Sequence, residues 1–294
     1  MILVTGATGT IGREIVRRLP AGAAVRIMAR RPECVTGASG RARIVYGDYE
    51  DPRSLERALN GVRAFFLLTN RLGQDDARLI DAARTAGVRH VVKLSAAAVT
   101  DRGADDLVTR AQRAQEELVR GSGMAWTLLR PRAFMSNTLS WRSSIRQHGV
   151  VRAVYPSAAS SCVDPRDVAE VAVRALTEDG HAGMTYTLTG PEPMTAVQQT
   201  AQLAELLGRS LRCEELGPEQ ARVEMGRRHP EAVVEALLYR ASRQCEAAKG
   251  QVGETVPALL GRPAGSFRNW AADHLGAFVS DPGTVDADTG SGAV

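Results

Sequence analysis

Along the first half of the chain, short apolar runs alternate with stretches whose apolar residues recur every three or four positions. Ile2-Leu3-Val4 is the first run, and Ile11, Ile15, Val16 and Leu19 follow it at helical spacing. Further runs at 25–29 and 42–47 predict a second and a third strand. Asp51-Pro52-Arg53-Ser54 opens a helix that runs through Leu59. Residues 62–69 are almost continuously apolar, as a strand covered on both faces must be. A helix over 75–86 closes at Gly87, 91–95 is a fifth strand, 105–121 a polar amphipathic helix, and 126–130 a sixth strand ended by Pro131. This alternation predicts an α/β fold with a doubly wound parallel sheet. After about residue 155 the rhythm changes. Asp164-Pro165-Arg166-Asp167 precedes a helix over 168–176, with Asp167 placed to cap it; 184–189 is one more strand; three or four helices run on to about 278. The expected division is a nucleotide-binding part over 1–155, a smaller C-terminal substrate-covering region over 156–278, and a disordered tail over 279–294 with almost nothing to bury.

The junction of the first strand with the first helix carries the most chemistry. It reads Gly6-Ala7-Thr8-Gly9-Thr10-Ile11-Gly12, three glycines at a spacing of three. In this context the first glycine permits the turn, the second lets backbone approach a pyrophosphate, and the third lets the helix pack closely on the strand. The helix N-terminus then offers N–H groups and a partial positive charge to phosphate. These features predict a Rossmann-type dinucleotide site, with Thr8, Thr10 and Ile11 lining the turn. NAD sites usually place an acid at the end of the second strand, whereas NADP sites place arginine there. Here that strand ends in Ala29-Arg30-Arg31-Pro32. The planar, doubly donating guanidinium suits a 2′-phosphate, so NADP(H) is the expected cofactor, with Arg30 first and Arg31 second. Two merely solvated loop arginines fit the same residues.

Composition narrows the classes. With 294 residues, 44% hydrophobic content and a net charge of +4 spread along the chain, the pattern is that of an ordinary enzyme without a basic, aromatic-interleaved stripe for nucleic acid. No stretch reaches the length of a membrane span, and the first strand starts at residue 2 with no leader before it, so a cytoplasmic location is expected. The four cysteines are far apart and form no C-x-x-C, the five histidines are scattered without ligand spacing, and no metal is expected. No G-x-S-x-G follows a strand. Of 37 basic residues only Lys93 and Lys249 are lysines, a bias that suggests a GC-rich genome. Nothing in the pattern decides between a monomer and a homodimer.

Several segments together resemble the atypical short-chain dehydrogenase/reductases, in particular the NmrA-like group that includes NADPH-dependent quinone reductases. They are the run from Val4 to Gly12, Gly47-Asp48, Phe65 to Thr69, Val92 to Ala96, Glu116 to Leu118, Ser122-Gly123, Trp126 to Pro131, Phe134-Met135 with Asn137, Asp164 with Asp167-Val168-Ala169, and Tyr186 to Pro191. The likeness spans roughly residues 1–278. It implies that Asp48 faces the adenine, that Leu68, Thr69 and Asn70 flank the ribose and nicotinamide, and that Pro131 to Phe134 close over the carboxamide. It further implies a substrate wall of Ala96, Phe134, Met135, Asn137 and Trp141. A turn-starting role for Asp48, a packing role for Phe134 and Met135, and a surface role for Asn137 fit the same residues.

One component is missing. Hydride transfer to a ketone needs a proton for the developing alkoxide. None of the five tyrosines has a lysine four residues later. Where NmrA-like relatives carry His or Lys, the register places Gln112, which does not titrate. Three readings are open. Ser95, tuned by Lys93 on the same strand face, orients the carbonyl; the substrate supplies its own proton, as an aromatic polyketide ketone beside a phenol would; or the chain only senses NADP(H). The expected function is an NADPH-dependent ketoreductase of a bulky aromatic polyketide in secondary metabolism, with quinone reduction and a non-catalytic regulator as alternatives.

Overall fold

The computed structural model of the protein describes residues 1–35, 42–69, 74–101, 103–244 and 250–279. Its strands are β1 (Ile2–Val4), β2 (Val25–Ala29), β3 (Ala42–Tyr46), β4 (Ala64–Leu67), β5 (His90–Leu94), β6 (Ala125–Pro131), β7 (Val150–Ala153), β8 (Met184–Leu188) and β9 (Arg212–Glu215). The helices are α1 (Thr10–Arg18), α2 (Pro52–Leu59), α3 (Asp75–Thr85), α4 (Leu107–Arg120), α5 (Arg142–His148), α6 (Pro165–Thr177), α7 (Ala196–Leu207), α8 (Pro218–Gly226), α9 (Glu231–Gln244), α10 (Thr255–Leu260) and α11 (Phe267–Asp273).

Seven strands form one parallel sheet in the order β3-β2-β1-β4-β5-β6-β8. The chain therefore reverses direction across the sheet between β1 and β4. In open α/β sheets ligands bind at that switch point, beyond the carboxyl ends of the strands. Side-chain alternation sorts the core. Val4, Ile27, Phe66, Val92, Leu94 and Leu129 face α1 and α6, whereas Leu3, Met28, Phe65, Leu67, Val91 and Leu128 face α2, α3 and α4. Each such Leu, Val or Phe removes enough apolar area from water to favour the fold by about 1.5–3 kcal/mol before chain entropy is counted.

The doubly wound parallel sheet expected from the sequence is present, but a boundary at 155 does not separate it from the C-terminal half of the chain. Helix α6 packs on α1, and β8 pairs with β6 from Thr127↔Met184 to Pro131↔Leu188. The reason is visible in α6, where Val168, Ala169, Val171, Ala172, Ala175 and Leu176 are all buried, so the helix can only sit between layers. Its cap is Asp164, which accepts from the Arg166 N–H; Asp167 lies in the first turn and accepts from Gly265 N–H at 2.7 Å instead. What stands apart from the sheet is a third cluster, built on Met135, Ile145, Val151, Leu203, Phe267 and Trp270, beside the small parallel pair β7–β9. The proposed tail, apart from Val279, falls outside the described residues. Among the described residues no helix is long and apolar enough to cross a membrane.

Candidate cofactor and active site

The glycine turn is built as the spacing requires. Gly6 adopts φ +65°, and a Cβ there would press on the Leu68 side chain at 3.0 Å. A Cβ on Gly12 would collide with the Gly6 carbonyl and come within 2.8 Å of Ala7 Cα, so α1 lies against the turn before it as only glycine allows. Gly9 caps α1 without a side chain, and the first turn of the helix holds no acid. An anion approaching this end thus meets N–H groups and the positive end of the helix. Arg13 ties the loop back through a 3.1 Å hydrogen bond to the Thr8 carbonyl. Thr8 is exposed and Thr10 begins α1, while the Ile11 side chain belongs to the core and leaves only its backbone to a ligand. A nucleotide pyrophosphate fits this cradle.

Arg30 and Arg31 are exposed at the carboxyl end of β2. Gly47 sits close under Met28, and the next residue, Asp48, accepts from the Glu50 N–H at 3.1 Å, a local turn of the kind Asp favours. Behind them the Tyr49 hydroxyl is pushed up by burial first, then by the negative charges of Asp76 and Asp75.

The wall beyond β4 is pinned from two sides. Thr5 Oγ1 accepts from the Leu68 N–H at 2.8 Å and lies 3.0 Å from the carbonyls of Phe66 and Leu68. Thr69 Oγ1 donates to Asp76 Oδ1. Asn70 lies outside the described residues.

Ser95 and Lys93 share a strand face but not partners. Lys93 Nζ lies 3.2 Å from Asp76 Oδ2 and donates to the Leu94 carbonyl at 2.9 Å. Ser95 Oγ donates to Glu116 Oε1 at 2.6 Å. That carboxylate also takes Arg130 in a fork, Nε to Oε1 at 2.8 Å and Nη2 to Oε2 at 2.5 Å, with Arg120 at 3.2 Å. Burial alone would raise the Glu116 pKa; the hydrogen bonds from Arg130 and Ser95 and the charges of Arg130 and Arg120 together hold it below the usual range. The expected tuning of Ser95 by Lys93 is replaced by two separate networks, because Asp76 on α3 captures the ammonium. A serine whose proton is committed to a carboxylate offers a ligand an acceptor and no donor.

The expected substrate wall is only partly brought together. Ala96 leads out of β5, and Phe134, bridged to Val163, follows β6, so these two flank the same sheet edge as the buried Pro131. Met135 is buried in the third cluster and Trp141 packs against it, so both serve packing there; Asn137 is exposed. On α4, the Oε1 atoms of Gln112 and Gln115 are buried and without a hydrogen-bond partner. Asp76 was not singled out in the sequence, and Thr5, Glu116 and Arg130, though inside the resembling segments, were given no role there. A signal existed for the first: a lone lysine inside an apolar strand needs a buried acid.

Comparison with known proteins bears on the same elements. A family model described as NAD(P)H-binding matches residues 6–179, from the glycine turn to the end of α6. The chain belongs to this NAD(P)H-binding family. The chain is 54% identical over 282 residues to the (4-alkanoyl-5-oxo-2,5-dihydrofuran-3-yl)methyl phosphate reductase of Streptomyces griseus, covering 96% of this chain and all of that one. It is 38% identical to the NAD(P)H azoreductase of Xenophilus azovorans, over 95% of this chain and 99% of the relative. The crystal structure of the NADPH-dependent quinone oxidoreductase of Escherichia coli superposes with a TM-score of 0.80 over 94% of this chain and 99% of that one, at 24% identity, a likeness of fold. This member of the family is an NAD(P)H-dependent oxidoreductase.

Proposed function

We propose that the protein reduces the ring carbon–carbon double bond of an alkanoyl-substituted unsaturated lactone carrying a phosphate ester, with NADPH as reductant. The observation that carries this reading is that three described side chains beyond β4 and at the end of β5, Thr69, Ser95 and Lys93, are already committed to other partners. The Thr69 proton goes to Asp76, the Ser95 proton to Glu116, and the Lys93 ammonium to Asp76 and a backbone carbonyl. Reduction of a plain ketone leaves a strongly basic alkoxide, which needs a donor of matched pKa. A double bond conjugated to both a lactone and an alkanoyl carbonyl leaves its charge on two oxygens, and such an anion takes its proton from water. The substrate of the 54% identical relative, as its name describes it, has that conjugation.

When bound, the reduced nicotinamide supplies the hydride. The chain supplies position: the glycine turn for the pyrophosphate, Arg30 and then Arg31 for a 2′-phosphate, Asp48 on the adenine side, Leu68 and Thr69 beneath the ribose, and Pro131 to Phe134 over the nicotinamide. Arg30→Glu is expected to raise the Kd for NADPH about a hundredfold while changing that for NADH only a few-fold, since only the former brings a phosphate to the arginine. Equal effects in fluorescence titrations of both cofactors would place the 2′-phosphate elsewhere.

The same commitment of these side chains suits an aromatic polyketide ketone with a neighbouring phenol, or a quinone, and these are the competing substrates. The test is NADPH oxidation against three panels: alkanoyl lactone phosphates with the ring double bond, aromatic ketones with and without an adjacent hydroxyl, and naphthoquinones. Turnover of the lactones, with loss of the ring alkene and retention of the alkanoyl carbonyl by NMR, supports the proposal; turnover confined to the other panels overturns it. Ser95→Ala is expected to lower kcat by about tenfold at most, the scale of one neutral hydrogen bond. Complete loss would identify Ser95 as the proton donor after all.

A further inference from the structure

Lys93 is the residue that the reduction chemistry leaves unused. In a chain with 37 basic residues it is one of two lysines, and it is fully buried at 0% exposure in the middle of the sheet. Its partner Asp76 is equally buried at 0%. Such a pair is a poor device for stability alone: removing both charges from water costs several kcal/mol, and apolar side chains of the same volume generally serve packing as well or better. Its value has to lie in what it holds in place.

The pair connects three elements. Nζ of Lys93, on β5, makes an ion-pair contact of 3.2 Å with Asp76 Oδ2, at the start of α3, and donates to the Leu94 carbonyl at 2.9 Å. The other carboxylate oxygen, Oδ1, accepts from the Thr69 hydroxyl, two residues beyond β4. Ammonium, carboxylate and hydroxyl thus form a chain that rises from the interior to the sheet edge beside the β1–β4 switch point. Thr5 independently fixes the neighbouring residue, Leu68, through its N–H at 2.8 Å. Both residues of this short wall are therefore held by buried side chains. Because the Thr69 proton is committed to Asp76, its oxygen presents only lone pairs outward, so it suits a donor such as a ribose hydroxyl or a carboxamide N–H. In a doubly wound sheet the adenosine half of a dinucleotide lies over β1 to β3, and the other half lies over β4 to β6. A compact ammonium fits this slot; a guanidinium needs five satisfied donors and more room.

We propose that Lys93 and Asp76 are positioning residues for the nicotinamide half of the cofactor: they lock the Thr69 hydroxyl as an acceptor toward the nicotinamide ribose or carboxamide, and they do not act on Ser95 or on the substrate. The inference rests on the dinucleotide site described above.

The test is binding. NADPH, which spans both halves, and 2′,5′-ADP, which occupies only the adenosine half, are titrated into wild-type protein, Thr69→Val, and the double variant Lys93→Met/Asp76→Leu, which replaces both charges at once and so leaves none buried alone. Apo melting temperatures are measured in parallel. Both variants are expected to bind NADPH about tenfold more weakly and 2′,5′-ADP within twofold of wild type, with Thr69→Val melting as wild type does. Unchanged NADPH affinity in Thr69→Val overturns the proposal, as does parallel weakening of both ligands in the two variants, the signature of a merely structural role. Wild-type protein that bound neither ligand would overturn the dinucleotide site itself, and this inference with it.

Discussion

Gly12→Ala is expected to abolish measurable NADPH binding and to destabilise the protein by about 3 kcal/mol, the upper range for forcing atoms into a packed site. The new Cβ would meet the Gly6 carbonyl and, within 2.8 Å, Ala7 Cα, which are backbone atoms with no rotamer to give way. Relief requires α1 to move off the glycine turn. That movement breaks two things together. It uncovers Ile11 and Ile15, which are buried against β1 and β4 and against α6. It also displaces the helix N-terminus from the place where a phosphate meets its N–H groups. Gly9→Ala makes a useful control, because its Cβ would come no closer than 3.3 Å to a single atom, the Gly6 carbonyl. The expected order of loss, in both thermal melts and NADPH titrations, is Gly12→Ala far beyond Gly9→Ala. Comparable behaviour of the two would mean that the turn can relax and that the third glycine is not a packing requirement.

The second large effect is expected at Glu116, a site the glycine motif does not touch. Its side chain is 2% exposed, and it is shared by Ser95, Arg130 and Arg120. Glu116→Gln keeps the shape but leaves two guanidinium groups facing a neutral amide. Loss of one member of a buried ion pair typically costs about 3–5 kcal/mol, which for a chain of this size corresponds to a fall in Tm of roughly 5–8 °C. The pH dependence has a definite sign. Because the folded-state pKa of this carboxyl lies below its ordinary value, its contribution is complete above the unfolded pKa, at about 4.3, and is lost as pH falls through the lower folded value. The gap in Tm between wild type and Glu116→Gln should accordingly be constant from pH 7 to pH 5 and close progressively below about pH 4. A gap of the same size at pH 3 would mean that the carboxylate charge is not what stabilises the cluster.

What the sequence revealed and what it hid divide along the range of the interactions. The turn from Gly6 to Gly12, the apolar runs of β1 to β6 and the helix start at Asp51 are local, and each element declares itself within a dozen residues. The strands β7 and β9 do not. Arg212-Cys213-Glu214-Glu215 is short, charged and largely exposed, so it carries neither alternation nor an apolar run. The division at 155 failed to predict the layering for a related reason: Met184 to Leu188 looks like a strand, but nothing near it in sequence says that its neighbour is β6. The site behaved likewise. The close approach of α1 to the glycine turn was legible because glycine spacing encodes it. The partners of Lys93 and Ser95 were not, since Asp76 lies 17 residues before Lys93 and Glu116 21 residues after Ser95, each on a different helix. Strand alternation correctly placed the two side chains on one face, and the acids on the facing helices then decided which went where.

The pairing of β7 with β9 has a consequence for how the chain reaches this state. Val150↔Arg212 and Ala153↔Glu215 join segments some 60 residues apart, and the intervening chain first leaves to build α6 and β8 into the large sheet. During synthesis β7 therefore emerges long before the strand it needs, whereas α6 and β8 find a sheet already waiting for them. Closing a loop of that length adds an entropic barrier, and contacts of high sequence separation slow folding. The sheet around the glycine turn should acquire protection from hydrogen exchange early, and the amides of β7 late, once β9 has been made.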